Sequence, residues 1–212
     1  MSTKNTSQLE RLTFFSDAVF AIAITLLIIE VHVPHVASID DATYWQALEE
    51  LRSSLFGFAL SFLVIGMLWM AHHRVFGMLA DYSQKITWPN LLLLMAVAFM
   101  PFATALMSSN PRARVPELVY SGTLLVAGLL QNRLFTMALR APYVRADVPE
   151  EEVTAARWRS WGLPTAATLS LIAAWYAPGW NNFLLIAIPF LVRLYAAAGR
   201  RYALRVQAVA GA

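Results

Sequence analysis

The sequence predicts an all-α membrane protein: six transmembrane helices in one domain spanning residues 1–212, with both ends in the cytoplasm. Three observations predict it. The chain is 58% apolar and only 14% charged, with mean hydropathy +0.55, whereas a soluble domain runs at about 45–50% apolar and about 25% charged. Apolar runs close to the ~20 residues that cross a bilayer recur along it. Basic residues gather at alternate ends of those runs. There is no cysteine, which excludes disulfide frameworks, Cys-ligated zinc, iron–sulfur clusters and thiol nucleophiles. The hydrophobicity is too high for disorder.

The first run, 12–33, has the uncharged core AVFAIAITLLII and stops at Pro34. A short basic region before it resembles a signal peptide. Asp17 inside the run and the lack of a small-x-small cleavage site predict a retained helix instead. The second run, 51–76, contains LFGFALSFLVIGMLWMA. The third, 88–107, contains Pro101 and is expected to kink there. The fourth, 118–139, ends in polar Gln131, Asn132 and Arg133. The fifth, 160–177, carries Gly162 and Pro164 near its start. The sixth, 182–198, has a short apolar stretch before Arg193, whose long side chain reaches the interface by snorkelling. No loop is long enough for a soluble domain.

The basic residues then set the orientation. With the N-terminus inside, thirteen of the sixteen lie on inner segments, from Lys4 and Arg11 to Arg201 and Arg205, and only Arg52, Arg112 and Arg114 lie outside. That asymmetry favours six helices with both ends in the cytoplasm. It also argues against a nucleic-acid partner, despite net charge +3 and a pI near 9.4, because no groove-binding element collects the charge. The Arg-rich tail AGRRYALRV is expected to lie against anionic lipid. The outer loop from 34 to 50 is acidic, and the run Glu150-Glu151-Glu152 in the inner linker reads as a solvated helix start.

Polar residues within spans are costly and point to function or to interhelical locks. One cluster is Arg11, Ser16 and Asp17 in RLTFFSDAVF; the other is Trp69, His72 and His73 in WMAHHRVF. Antiparallel helices put both near the inner edge, where a carboxylate facing an imidazole or a guanidinium satisfies both partners. Three uses remain open: a structural latch, a gate or pH sensor, and a proton relay or metal site. Metal is the weakest, since neighbouring histidines on a helix point about 100° apart and no H-E-x-x-H or G-x-S-x-G motif occurs. His32 and His35 read as solvated interface residues. On the first helix, Phe15, Ile22, Leu26 and Ile29 share a stripe with Ala18, Ala21 and Thr25 beside it. Periodicity alone suits a helix-packing face with small residues.

The stretch Arg11-x-x-x-Phe15-Ser16-Asp17 followed by AVFAIAITLLIIEV resembles the first-helix signature of the transmembrane protein 175 family of potassium channels. WMAHHRVF is similar to the same family's second-helix motif, and the third helix beginning at Asn90, with Pro101, fits as well. The resemblance implies a cation channel favouring potassium over sodium, not an enzyme. It implies the bacterial, single-repeat type: a homotetramer in the plasma membrane with helix 1 from each copy around a central pore. It maps the hydrophobic constriction onto Ile22 and the next lining layers onto Thr25 or Leu26 and then Ile29. It maps Arg11, Ser16, Asp17, Trp69, His72 and His73 onto an inter-helix hydrogen-bond network. No cofactor or metal is implied beyond permeant K⁺, and the partners implied are other copies of the chain and lipid.

The chain has no TVGYG carbonyl filter. An apolar ring would instead make ions shed water, which costs potassium less than sodium. It would give modest selectivity and close by dewetting. Glu30 and the acidic outer loop would concentrate cations at the outer mouth. The alternative is a proton-coupled or other secondary transporter using Asp17 with His72 and His73, although no inverted repeat or broken midplane helix accompanies them.

Overall fold

The computed structural model describes residues 3–35, 40–140 and 142–210, the side chains of 3–6 and 210 excepted. Lys4, counted above among the inner basic residues, is therefore placed by its backbone only. Helix follows helix: α1 (Thr3–Leu26), a 3-10 segment (Leu27–Glu30), α2 (Asp41–Glu50), α3 (Arg52–Gly77), α4 (Gln84–Ser109), α5 (Arg114–Ala138), α6 (Glu150–Arg159), α7 (Gly162–Tyr176), α8 (Asn182–Leu185) and α9 (Ile188–Ala210). No strand occurs among the described residues. Ser7–Glu30, Arg52–Gly77 and Gln84–Ser109 are long and apolar enough to cross a membrane by length and composition.

Several boundaries differ from the hydropathy reading. The first helix starts at Thr3 rather than 12, with Leu9 buried in its polar opening turns. Its α-geometry ends at Leu26, well before Pro34. The acidic loop after the first run, expected on the outer side, contains helix α2, which hydropathy cannot register because none of its residues is buried. Asp40 caps it, its carboxylate accepting from the Thr43 backbone N–H at 3.2 Å and from the Thr43 hydroxyl at 3.1 Å. The third helix starts four residues early at Gln84, with the Ser83 hydroxyl accepting from Lys85 N–H at 3.3 Å, and runs on through Pro89 and Pro101.

The sixth run departs most. It is broken after Leu185 and resumes at Ile188, with Pro189 in the first turn where a missing N–H leaves no bond unmade. It then continues to Ala210, past the expected end at 198. The tail stays helical because it packs on α6. Ala196 and Ala203 are buried, and a Cβ on Gly199 would come within 2.9 Å of Trp158. Arg200, Arg201 and Arg205 keep the exposed side. The run Glu150-Glu151-Glu152 forms the first turn of α6, where negative charge suits the helix dipole.

α4 is the hub, packing on α1, α3 and α5. Among apolar surroundings, hydrogen bonds and close small-residue contacts supply the specificity that water-driven burial would otherwise give. Ser61 on α3 bonds the Thr104 hydroxyl of α4 at 2.7 Å and the Tyr120 hydroxyl of α5 at 2.9 Å, all buried. Gln131 of α5 donates to the Leu68 carbonyl of α3 at 2.9 Å. Gly162 lets α7 touch α9, since a Cβ there would meet Val192 Cγ2 at 2.6 Å. At the other end of α3, Ala80 N–H donates to Tyr143 and Arg145 N–H to Met78, stitching two loops together.

Candidate functional site

α1 has two different sides. Ser16, Phe20, Ala23 and Leu27 are buried against the rest of the chain. The opposite side is bare: Phe15 is 51% exposed, Ile22 58%, Leu26 41% and Ile29 66%. Ala18, Ala21 and Thr25 are exposed beside them. Ile29 falls in the 3-10 segment, where residues three apart eclipse. It therefore stands directly over Leu26 instead of drifting back toward Ile22, as uniform α-geometry would have it.

Thr25 sits on this bare side with its hydroxyl bonded to the Ala21 and Ile22 carbonyls, each at 3.0 Å. Its proton is engaged with its own helix, so the oxygen presents lone pairs outward, the polarity that suits a cation. Glu30 ends the 3-10 segment, exposed, and its carbonyl meets His32 Nδ1 at 3.0 Å.

Behind this surface the polar residues sort into two contacts. Asp17 Oδ1 accepts from Trp69 Nε1 at 2.8 Å. Separately, His72 Nε2 bonds Asn90 Oδ1 at 2.8 Å, and Asn90 Nδ2 donates to Ser16 Oγ at 2.9 Å. Ser16 passes its own proton to the Leu12 carbonyl at 2.8 Å. The direction of this chain makes Nε2 the protonated nitrogen of His72 and leaves Nδ1 buried without a partner among the described residues. Phe20 and Phe76 flank the imidazole, the latter stacked at 4.0 Å.

The expected carboxylate–imidazole or carboxylate–guanidinium contact is thus replaced by a carboxylate–indole one. Arg11 is exposed and pairs with no described residue of its chain, and His73 is exposed, with its ring 5.5 Å from that of Trp69. The reason is rotational. Ser16 is the position of α1 that turns fully inward, and the inward position of α3 is His72. Asp17 and Trp69 sit one step around, at the edge.

Two groups of residues were not expected at the site from the sequence. Asn90, fully buried on α4, joins three helices, and its only sequence signal is an amide at the start of an apolar run. Glu117 is buried on α5 and accepts from Asn182 Nδ2 at 2.9 and 3.1 Å and from Asn181 Nδ2 at 3.2 Å. Asn181 also donates to Ser121 and Ser170. A lone Glu near a span start reads as an interface charge until its amide partners, more than sixty residues away, are known. Among the described residues no group of three or more His, Asp or Glu could hold a metal.

Residues 11–101 match the family described as Endosomal/lysosomal potassium channel TMEM175. The chain is 36% identical over 195 residues to a protein of Chamaesiphon minutus named a potassium channel, covering 88% of this chain and 95% of that one. It is 35% identical over 173 residues to a Streptomyces collinus protein also named a potassium channel, covering 77% and 83%. The fold matches the crystal structure of a lysosomal potassium-selective channel TMEM175 homolog from Chamaesiphon minutus with TM-score 0.73 and 31% identity, over 92% of this chain and 98% of that one. Vertebrate relatives bear the name Endosomal/lysosomal proton channel TMEM175; that of Danio rerio is 25% identical over 144 residues, 27% of its length. These relatives are ion channels, not enzymes.

Proposed function

The chain belongs to the TMEM175 family, and on that premise we propose that it is a potassium-selective cation channel of the bacterial plasma membrane. In this reading six spans run through α1, α3, α4, α5, α7 and the α8–α9 unit, both ends are cytoplasmic, and four copies place α1 around one pore. The observation that carries it is the bare apolar side of α1. Packed on its Ser16, Phe20, Ala23 and Leu27 side, the helix leaves Ile22, Leu26 and Ile29 without a partner in their own chain, and fourfold symmetry supplies one.

Ile22 forms the constriction. A ring of four isoleucines offers no oxygen in exchange for hydration water, so an ion crosses at the cost of part of its shell. Potassium holds that shell less tightly than sodium, and the preference follows from the difference. It is modest, because no cage rewards one radius. Emptied of water, the same ring is closed. Above it, Thr25 offers lone pairs, and Leu26 with Ile29 over it continues the lining. Glu30 raises the local cation concentration at the outer mouth. Asp17–Trp69 and Ser16–Asn90–His72 hold α1 at the rotation that presents Ile22 inward. Permeant K⁺ is the one ligand this mechanism needs.

The transporter alternative requires Asp17 and the histidines in one relay. Asp17 bonds an indole N–H, which neither gives up nor takes a proton at physiological pH, and His72 bonds an amide. The geometry therefore favours a positioning role for both. Ile22→Asn tests the channel reading by placing four amides in the constriction. It is expected to enlarge the current and lower the potassium preference in bi-ionic reversal potentials, with the assembly still about four protomers by light scattering. If wild type and variant both conduct and reverse at the same voltage, Ile22 is not the filter.

A further inference from the structure

A groove of about 700 Å³ runs between α3, α5, α7 and α9, away from the bare side of α1. Its walls are apolar: Val64, Leu68, Phe135, Leu163, Ile188 and Val192. Its mouth is not. Arg74 of α3, Arg159 of α6 and Arg193, Arg200 and Arg201 of α9 converge there from three helices. From Val64 to Arg74 the wall rises roughly 15 Å along α3, long enough to separate a buried chain from a charged end.

None of the five guanidiniums forms an ion pair with a described residue. The ion pairs among the described residues are Arg52–Glu49 and Arg145–Asp147, neither of them here. No described residue accepts a hydrogen bond from any of the five arginine side chains. Arg159 is half-buried, and burial first, then the charges of Arg74 and Arg200, hold its guanidinium below the usual arginine range, with only Glu152 pulling the other way. Like charges brought together with no acid paired to any of them raise the energy of the mouth. An anion at the mouth lowers it.

We propose that this groove binds an anionic phospholipid, the phosphate held by Arg159 and Arg200 with Arg74 beside them and an acyl chain lying between Leu68 and Val192. Charge complementarity decides the headgroup: a zwitterionic lipid brings a cation to a mouth that already has five. The apolar walls decide the amphiphile, since free phosphate leaves them exposed. The orientation proposed above places the mouth at the inner leaflet, where basic pockets between helices meet anionic headgroups; the binding itself does not depend on channel activity. Its position makes it a brace. The lipid touches α3, which carries Trp69 and His72, and α9 at once.

Native mass spectrometry of the purified assembly, titrated with palmitoyl-oleoyl phosphatidylglycerol or the matching phosphatidylcholine, tests this. Wild type is expected to retain phosphatidylglycerol at lower concentration than phosphatidylcholine. Arg159→Gln should weaken phosphatidylglycerol about fivefold and Arg159→Gln with Arg200→Gln about thirtyfold. Arg133→Gln, an equal charge loss on an exposed position outside the groove, should leave it unchanged. Ala197→Phe, which fills the groove, should weaken both lipids, and inorganic phosphate should displace neither. The proposal is overturned if Arg133→Gln costs as much as Arg159→Gln, because the attraction is then diffuse. It is equally overturned if inorganic phosphate displaces the lipid, or if Ala197→Phe breaks the assembly in light scattering, which makes the groove a contact between copies.

Discussion

Replacing Asn90 by alanine removes the residue that ties α1, α3 and α4 together. Asn90 is fully buried and makes two side-chain hydrogen bonds, to His72 at 2.8 Å and to Ser16 at 2.9 Å. Within a membrane each such bond is worth about 0.6 and at most about 1.7 kcal/mol. The loss is therefore about 1–3 kcal/mol. The upper part of that range applies, because His72 Nδ1 already lacks a partner, and the variant leaves both ring nitrogens bare in a dry site. For a chain of 212 residues, at about 2–4 °C per kcal/mol, the melting temperature should fall by about 6 °C. Circular dichroism of the purified assembly in one detergent reads it. Ser16→Ala should cost less, since the hydroxyl keeps one of its two bonds local to α1. The two changes should couple, the double variant losing about 1 kcal/mol less than the sum. A melting temperature within about 1 °C of wild type for Asn90→Ala, or strict additivity with Ser16→Ala, would refute the view that this chain of bonds locks α1.

The Asp17–Trp69 contact is more peripheral, with Trp69 37% exposed. Trp69→Phe should cost about 1 kcal/mol and loosen α1, and Asp17→Ala should cost no more than that pair's worth, not the larger penalty of a buried ion pair; a greater loss in thermal unfolding would mean that a neighbouring copy supplies Asp17 with a second partner. Gly162→Ala drives a methyl into Val192, with Cγ2 at 2.6 Å and backbone N and Cα at 3.0 Å, so it should destabilise by about 1–3 kcal/mol, whereas Gly122→Ala, with nothing within 4 Å, should be neutral or better by the same measurement.

The first three long apolar helices were legible in the sequence because the information is local. The charge-free core from Ala18 to Ile29 and the run behind WMAHHRVF must be helical in lipid, since no other open structure satisfies the backbone there. The same local reasoning failed where local hydropathy is low. The sixth run was expected to end at 198, yet the helix continues to Ala210 because Ala196 and Ala203 bury against α6. α2 was invisible because it buries nothing.

Within the site, the sequence determined which polar residue types cluster on α1 and α3, and the tertiary structure decided which of them meet. Spacing along a helix gives the angle between two side chains but not the rotation of the helix about its own axis. A turn of about 100°, one residue, separates Ser16 from Asp17 and His72 from His73. That rotation sends Ser16 and His72 inward to a shared amide on α4, leaves Asp17 to an indole, and puts Arg11 and His73 outside. Glu117 and its amides at 181 and 182 make the same point over a longer distance, since only the packing of α5 against α7, and of α7 against α8, brings them together. Hydropathy records how much a helix wants to leave water, while partner choice depends on which face its neighbours leave open.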